Sequence, residues 1–228
     1  MNTVHINKRK AEDLGFTAFL LNYENNSFDR ISNEAIDNHI KKINDLNSKN
    51  KQADELDNII NLVFLEKELK VLTEMKLVYA YKSFEFHLKF LLKSYYPELK
   101  KSELYKWDTV LDFLKSKNID PKKINCFKEI DELRNINNAI KHSSITNSRI
   151  LPIEFKNESH ITYKNILAFY NRIENCGTEF FKSLNEFIKV DIYYFDEDKI
   201  NEQVDKIEKT MTPEMAIDFA NKILKKYT

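Results

Sequence analysis

The sequence predicts an all-α protein. Only two glycines and four prolines occur among the 228 residues, so the chain carries little of the turn chemistry that β-hairpins require. Apolar residues recur at helical spacing through most of the chain. Sixteen phenylalanines, eleven tyrosines and one tryptophan are enough for a substantial core. The chain is therefore expected to be globular and helical, and not disordered.

The first half of the chain divides at polar interruptions of the apolar pattern. Helices are expected at 8–22 and 29–48, with a polar turn between them and a Lys- and Asn-rich linker at 48–52. From Asp54 to Tyr96 the pattern continues without a break, and Pro97 closes it. A helix of that span would be about 60 Å long, so a bend or break near Phe64 is left open.

The second half is expected to hold shorter helices. Pro121 is a favourable first-turn residue, and Thr212 followed by Pro213 is a good start signal. The helices are predicted at 102–117, 121–144, 163–190, 198–210 and 212–227, with a short extended segment at 150–155. These elements group into an N-terminal helical extension (1–52), a helical bundle (53–190) and a C-terminal helical pair (191–228).

Composition excludes several functional classes. Acidic and basic residues balance at 36 each, so net charge gives no indication of nucleic-acid binding. The two cysteines form no CxxC, and no His or Cys spacing suggests a metal site, so neither a metal nor a cofactor is implied. Two glycines cannot build a nucleotide-phosphate loop. Without a signal-like or membrane-length apolar run, the expected location is cytoplasmic, with no membrane partner.

A polar stripe is expected on the helix predicted at 121–144. The segment 132–143 reads ELRNINNAIKHS and concentrates a cation, amides and a histidine within little more than two turns. At about 100° per residue, its polar side chains project within roughly 120° of one another. This polar stripe consists of Asp131, Arg134, Asn135, Asn138, Lys141 and His142. The other side carries Leu133, Ile136 and Ile140, which would anchor the helix.

This segment resembles the HEPN superfamily (higher eukaryotes and prokaryotes nucleotide-binding). The hallmark of that superfamily is an arginine, usually followed by a polar residue, then four to six residues, then histidine. Arg134-Asn135 and His142 match the two ends, with seven residues between Arg134 and His142. The upstream run at 81–92, YKSFEFHLKFLL, is similar to a recurring helical pattern of the superfamily. The resemblance covers roughly residues 55 to 190.

The resemblance implies a HEPN-like antiparallel helical bundle with additional N- and C-terminal helices. It also implies a metal-independent endoribonuclease, of the kind found in toxin–antitoxin and antiviral defence systems. The RNA 2′-hydroxyl would attack its own phosphodiester, with His142 as the base and Arg134 holding the phosphate oxygens. Asn138 and Asn135 would orient these groups or bond to the substrate, and Lys141 would add positive charge. Members commonly form homodimers that share one cleft, and an antitoxin or regulatory protein is a further expected partner.

Two other interpretations stay open. The chain could be a catalytically inactive HEPN-like module that binds a protein or nucleic acid, with Asp131 pairing to Arg134 or Asn135 and Lys141 and His142 favoured by the helix C-terminus. A scaffold built on long helices is the third reading, although the apolar character of 77–92 is too broad for a coiled-coil seam. Elsewhere, Glu85 is expected to pair with Lys89 and His87 to be a buried structural histidine.

Overall fold

The computed structural model describes residues 3–24, 27–49, 55–142, 152–156, 161–194 and 197–227. These residues form α-helices and short 3₁₀ turns, and none of them lies in a β-strand, which confirms the predicted all-α class. The helices are α1 (Thr3–Glu24), α2 (Ser27–Lys49), α3 (Glu55–Tyr95), α4 (Trp107–Ser116), α5 (Phe127–His142), α6 (Tyr163–Ile173), α7 (Cys176–Tyr193), α8 (Glu197–Thr210) and α9 (Pro213–Tyr227). Within the described ranges, no helix combines the length and apolarity that crossing a membrane requires.

Helix α3 runs for 41 residues without interruption, which agrees with the unbroken apolar pattern from Asp54 to Tyr96, and no break occurs at Phe64. Several other boundaries differ from prediction. The helix predicted at 102–117 is a 3₁₀ turn at Lys101–Leu104 followed by α4. Pro121 opens a 3₁₀ turn, capped by the Asp120 side chain, and α5 starts only at Phe127. The helix predicted at 163–190 is divided into α6 and α7. The predicted extended segment at 150–155 is a 3₁₀ turn at Ile153–Phe155, and its first two residues lie outside the described ranges.

The chain forms two compact units, Met1–Asn185 and Glu186–Thr228. In the second unit, α8 and α9 contact each other. The start predicted for α9 is confirmed, since the Thr212 hydroxyl accepts from the Met215 amide at 3.4 Å. Lys199 bonds to Asp191, which fixes the end of α7 to α8. The division predicted at residues 52 and 190 stays a prediction from sequence pattern.

The core of the first unit surrounds α3. Ile36 and Ile43 of α2 pack with Leu69, and Phe84 packs against Phe180 and Phe181 of α7 with ring centroids 5.1 Å apart. Helices α2, α5 and α6 all contact α3. The central helix is therefore the element against which the helix of the polar stripe is positioned.

A buried cation links three of these helices. The ammonium of Lys76 on α3 bonds to Asn33 of α2 and lies 3.9 Å from the ring centroid of Tyr170 on α6. The Tyr170 hydroxyl donates to Asp29 at 2.9 Å. Burial lowers the pKa of Lys76 from its ordinary value, and the charge of Asp29 opposes that change. The contact with the aromatic face replaces part of the hydration that the ammonium has lost.

The two glycines provide a matched test of packing. A Cβ on Gly177 would lie 1.8 Å from the Tyr23 hydroxyl, whereas a Cβ on Gly15 meets nothing within 4 Å. We expect Gly177→Ala to cost about 1–3 kcal/mol, because the Tyr23 ring must shift. Gly15→Ala should raise stability by up to about 1 kcal/mol, since the site is an exposed helix interior. Urea unfolding of both variants measures the difference, and equal stabilities would contradict the described contact.

Candidate functional site

Helix α5 carries the polar stripe on one side and packs into the core with its apolar side. Leu133 and Ile136 are buried, as the sequence pattern predicts, and Ile140 is half-buried. The stripe residues are half-buried or exposed, with exposure increasing toward the end of the helix. Asp131, Arg134 and Asn135 are half-buried, and Asn138, Lys141 and His142 are exposed. The structure thus places all six side chains at the surface of one helix.

Asp131 organises the first turn of the stripe. Its Oδ1 accepts from Arg134 Nε at 3.0 Å, and its Oδ2 accepts from Asn135 Nδ2 at 3.3 Å. Both contacts agree with the interpretation in which Asp131 pairs to Arg134 or Asn135. The Arg134 side chain keeps 26% of its surface exposed. Within the described ranges, its Nη1 and Nη2 have no hydrogen-bond partner, so the outer edge of the guanidinium is available for an anion.

The neighbouring helix α3 adds Tyr81 and Glu85 to this end of the stripe. The pKa of Tyr81 is raised to about 12. Burial is the main cause, Glu85 and Asp131 also raise the pKa, and Arg134 lowers it. Tyr81 therefore remains a neutral phenol at physiological pH, within electrostatic range of Arg134. Glu85 is held by Lys89 at 2.7 Å, which confirms that predicted pair. The sequence assigned no role to Tyr81, because only packing between α3 and α5 brings it to Arg134.

Within the part of the chain that the structure describes, the far end of the stripe is exposed. Along α5, His142 lies eight positions after Arg134, which corresponds to about 12 Å of axial rise. Asn138 lies between them and accepts from Asn137 Nδ2 at 3.3 Å. Among the described residues, Lys141 and His142 form no hydrogen bond or ion pair. The segment that follows, at 145–160, lies mostly outside the described ranges.

An ion-pair network with two largely buried carboxylates joins α5 to α6. Glu132 accepts from Arg172 Nη2 of α6 at 2.8 Å, and Arg172 also forms a two-point contact with Glu154 at 2.6 and 3.1 Å. The Glu132 and Glu154 side chains are each only 10% exposed. Hydrogen bonding to Arg172 lowers the pKa of Glu154. Sequence reasoning missed this network, since its members are 18 and 40 residues apart.

No protein-family model, curated protein or solved structure matches the chain. The HEPN resemblance stays a prediction that depends on Arg134, Asn135, His142 and the α3 run at 81–92. The site residues likewise stay predictions, placed together on one helix face.

A second group of reactive side chains lies at the start of α5. Cys126 precedes the helix, Glu129 is in its first turn, and Cys176 is the first residue of α7. One ligand atom of each lies within 4.8 Å of the others. Sequence spacing could not reveal this group, because 50 residues separate the two cysteines. No CxxC or histidine pattern accompanies them.

Two surface depressions lie near these groups. One has a volume of about 510 Å³ and is lined by Cys126, Glu129, Asp131 and Asn135 among others, so it joins the cysteine group to the start of the polar stripe. The other, of about 470 Å³, is lined by residues of several helices including Tyr23, Asp29 and Tyr170. That second depression contains none of the predicted site residues Arg134, Asn135, Asn138, Lys141 or His142.

Proposed function

We propose that the chain is a HEPN-like, metal-independent endoribonuclease with its site on the polar stripe of α5. The observation that carries the proposal is the hydrogen bonding of the Arg134 guanidinium. Asp131 holds it by Nε alone, so Nη1 and Nη2 are directed to no partner within the described ranges. A guanidinium fixed at one edge and open at the other is suited to bidentate binding of a phosphate.

His142 would supply the base. It is exposed on the same helix face, and the rise of about 12 Å from Arg134 leaves room for a phosphodiester and its ribose. The imidazole accepts the 2′-hydroxyl proton, the 2′-oxygen attacks phosphorus, and the bond to the 5′-oxygen of the next nucleotide breaks. Arg134 offsets the charge that builds on the phosphate oxygens. Asn138 and Asn135 would bond to ribose or phosphate, and Lys141 would add positive charge.

A second copy of the chain would complete the site. One stripe offers a single base and no evident acid for the leaving 5′-oxygen, and a partner's His142 across a shared groove can provide it. A row of exposed apolar side chains along α3 supports self-association, since they project within roughly 120° on one side of the helix. The row consists of Ile60, Phe64, Val71, Met75, Phe86 and Phe90.

The proposed role in a toxin–antitoxin or antiviral defence system follows from the same resemblance. A ribonuclease of this kind needs a regulatory protein to protect the host, and the exposed stripe is accessible to such a partner. The cell's cytoplasm would hold both the RNA substrate and this partner.

The decisive experiment is cleavage of a mixed RNA pool by the wild-type protein and by His142→Ala. Each is assayed with EDTA and with magnesium, and circular dichroism checks that the helices persist. We expect equal wild-type cleavage under both conditions and a loss of roughly 10²–10⁴-fold in His142→Ala. Cleavage that requires magnesium would exclude the metal-independent mechanism. Cleavage by His142→Ala at the wild-type rate would exclude the assigned base.

The second candidate function is a non-catalytic module that binds a protein or nucleic acid through the same stripe. The specific observation in its favour is that Asp131 bonds to both Arg134 and Asn135, as in an ordinary surface network. This candidate predicts RNA binding in a filter assay without cleavage by the wild-type dimer or monomer. Under this candidate, Arg134→Ala and Lys141→Ala would weaken RNA binding. RNA bound to His142→Ala would be as intact as RNA bound to the wild type.

A further inference from the structure

Two thiols and a carboxylate converge where α5 and α7 begin. Cys126 Sγ, Cys176 Sγ and a Glu129 carboxylate oxygen all lie within 4.8 Å of one another. The contact joins segments far apart in the chain. The Asn125 amide donates to Ser183 Oγ of α7 at 3.1 Å, which fixes the turn that carries Cys126 against α7.

The backbone of Cys126 is unusual for its residue type. Its φ is 58°, in the left-handed region that residues with a Cβ seldom adopt. Asn118 shares this conformation at φ 57°, but Asn118 follows the end of α4, where asparagine is a common helix terminator. Cys126 has no such explanation from local sequence. A strained residue is retained where the surrounding structure requires it, and here the strain places Cys126 beside Cys176.

The distances suit a tetrahedral metal. With Zn–S near 2.3 Å and Zn–O near 2.0–2.2 Å, tetrahedral ligand atoms lie about 3.5–3.8 Å apart, so only a small closure of the three groups is needed. Thiolates and a carboxylate are ligands that zinc accepts. Both cysteines lie at helix N-termini, where the backbone dipoles favour negative charge. Burial raises the pKa of the Cys176 thiol to about 12, with Cys126 and Glu129 also raising it and Arg172 opposing them, so metal binding must displace a proton from this thiol.

Access to the group is asymmetric. Cys176 is buried, whereas Cys126 and Glu129 line the depression of about 510 Å³. An ion can enter from that side, and water can occupy a fourth coordination position there. The three protein ligands would then bind the ion at the floor of the depression, and the fourth coordination position would face solvent.

We propose that Cys126, Glu129 and Cys176 form a zinc site that ties the start of α5 to the start of α7. Binding converts two thiols and a Zn²⁺ ion into a zinc dithiolate with release of two protons, and no change of oxidation state occurs. The site is independent of the proposed ribonuclease chemistry. It positions α5 and takes no part in phosphodiester cleavage, so His142→Ala should bind zinc as the wild type does.

Cobalt substitution gives a direct test. The chain has only two cysteines, so a thiolate-to-cobalt charge-transfer band in the reduced protein must arise from Cys126 or Cys176. We expect Co²⁺ to produce this band, Zn²⁺ to displace it, and about one equivalent of zinc to remain per chain after dialysis. Cys126→Ser and Cys176→Ser should lose the band. Glu129→Gln should weaken zinc binding by roughly 10-fold or more, since even residues that only orient a ligand have effects of that size.

Glu179→Gln is the matched control, since Glu179 lies in the first turn of α7 and pairs with Lys182. It should keep wild-type affinity. A rise in Tm with Zn²⁺ in the wild type and in Glu179→Gln, absent in Cys176→Ser, would support the site even if one serine variant folds poorly. The proposal is overturned if the reduced wild type gives no band, or if both serine variants retain zinc. Purification with a Cys126–Cys176 disulfide that resists mild reduction would also overturn it.

Discussion

Alanine at His142 is expected to lower RNA cleavage by roughly 10²–10⁴-fold, the contribution that a positioned general base makes. Arg134→Ala should lower cleavage by about 10²–10³-fold, as loss of one charge-stabilising group does elsewhere. Arg134→Lys should be intermediate, because lysine keeps the charge and loses the two-point geometry.

The matched controls for these variants are on α2. Arg30 is exposed, and His39 is paired with Glu68 at 3.2 Å away from the polar stripe. Arg30→Ala and His39→Ala should both cleave RNA within about twofold of the wild-type rate, since surface substitutions away from a site have small effects. A matching loss of activity in the α2 variants would mean that the assay reports general basicity or stability. Single-turnover rates, measured with the protein in excess of RNA and above the dissociation constant, make the comparison because they isolate the chemical step.

Replacing Arg172 with methionine is expected to destabilise the protein by about 3 kcal/mol at neutral pH. The physical reason is that the largely buried carboxylates of Glu132 and Glu154, each 10% exposed, would lose the guanidinium, and Glu132 would keep only the exposed Lys128 at 3.8 Å. Removing one partner of a buried pair typically costs about 3–5 kcal/mol. The lower end applies here, since Arg172 is itself 33% exposed. Urea unfolding at neutral pH measures the loss, with Arg30→Met as the exposed control.

The pH dependence of this loss has a defined sign. In the wild type, Arg172 depresses the pKa of Glu154. The stability from this contact is therefore fully present above the unfolded-state pKa of about 4.3, and is lost as pH falls through the lower folded-state pKa. The variant lacks this contribution, so its deficit should be largest at neutral pH and shrink on acidification. A deficit that grows below pH 5 would contradict the assignment. Joint replacement of Arg172, Glu132 and Glu154 by methionine should recover much of the loss.

Local patterns in the sequence were enough to predict most of the helices. The spacing of apolar residues identified α3 and the buried side of α5, and Thr212 marked the start of α9. The buried His87 and the Glu85–Lys89 pair were also predicted correctly, with His87 Nδ1 bonded to the Ser83 carbonyl oxygen at 2.8 Å. All of these depend on residues within about one helical turn of each other, where geometry follows directly from spacing.

Contacts between distant segments could not be predicted in the same way. Glu132 has the same side-chain chemistry as the exposed Glu98, and only the approach of α6 makes it a buried partner of Arg172. The boundary between α6 and α7 adjoins Gly177, whose contact with Tyr23 of α1 is set by tertiary packing. The cysteine group requires a left-handed backbone at Cys126 that no local signal in the sequence indicates.

The ion pair between Glu132 and Arg172 has a consequence for the orientation of α5. Adjacent residues on a helix project about 100° apart, so holding Glu132 against α6 also fixes the direction of Asp131 and of every stripe residue after it. Apolar side chains alone do not fix the rotation of a helix about its own axis tightly, because small rotations bury similar areas of apolar surface. A hydrogen-bonded ion pair restricts this rotation more tightly, because its donor and acceptor atoms must stay within bonding distance. In this protein, the contact between Glu132 and Arg172 therefore helps to set which groups α5 presents to solvent.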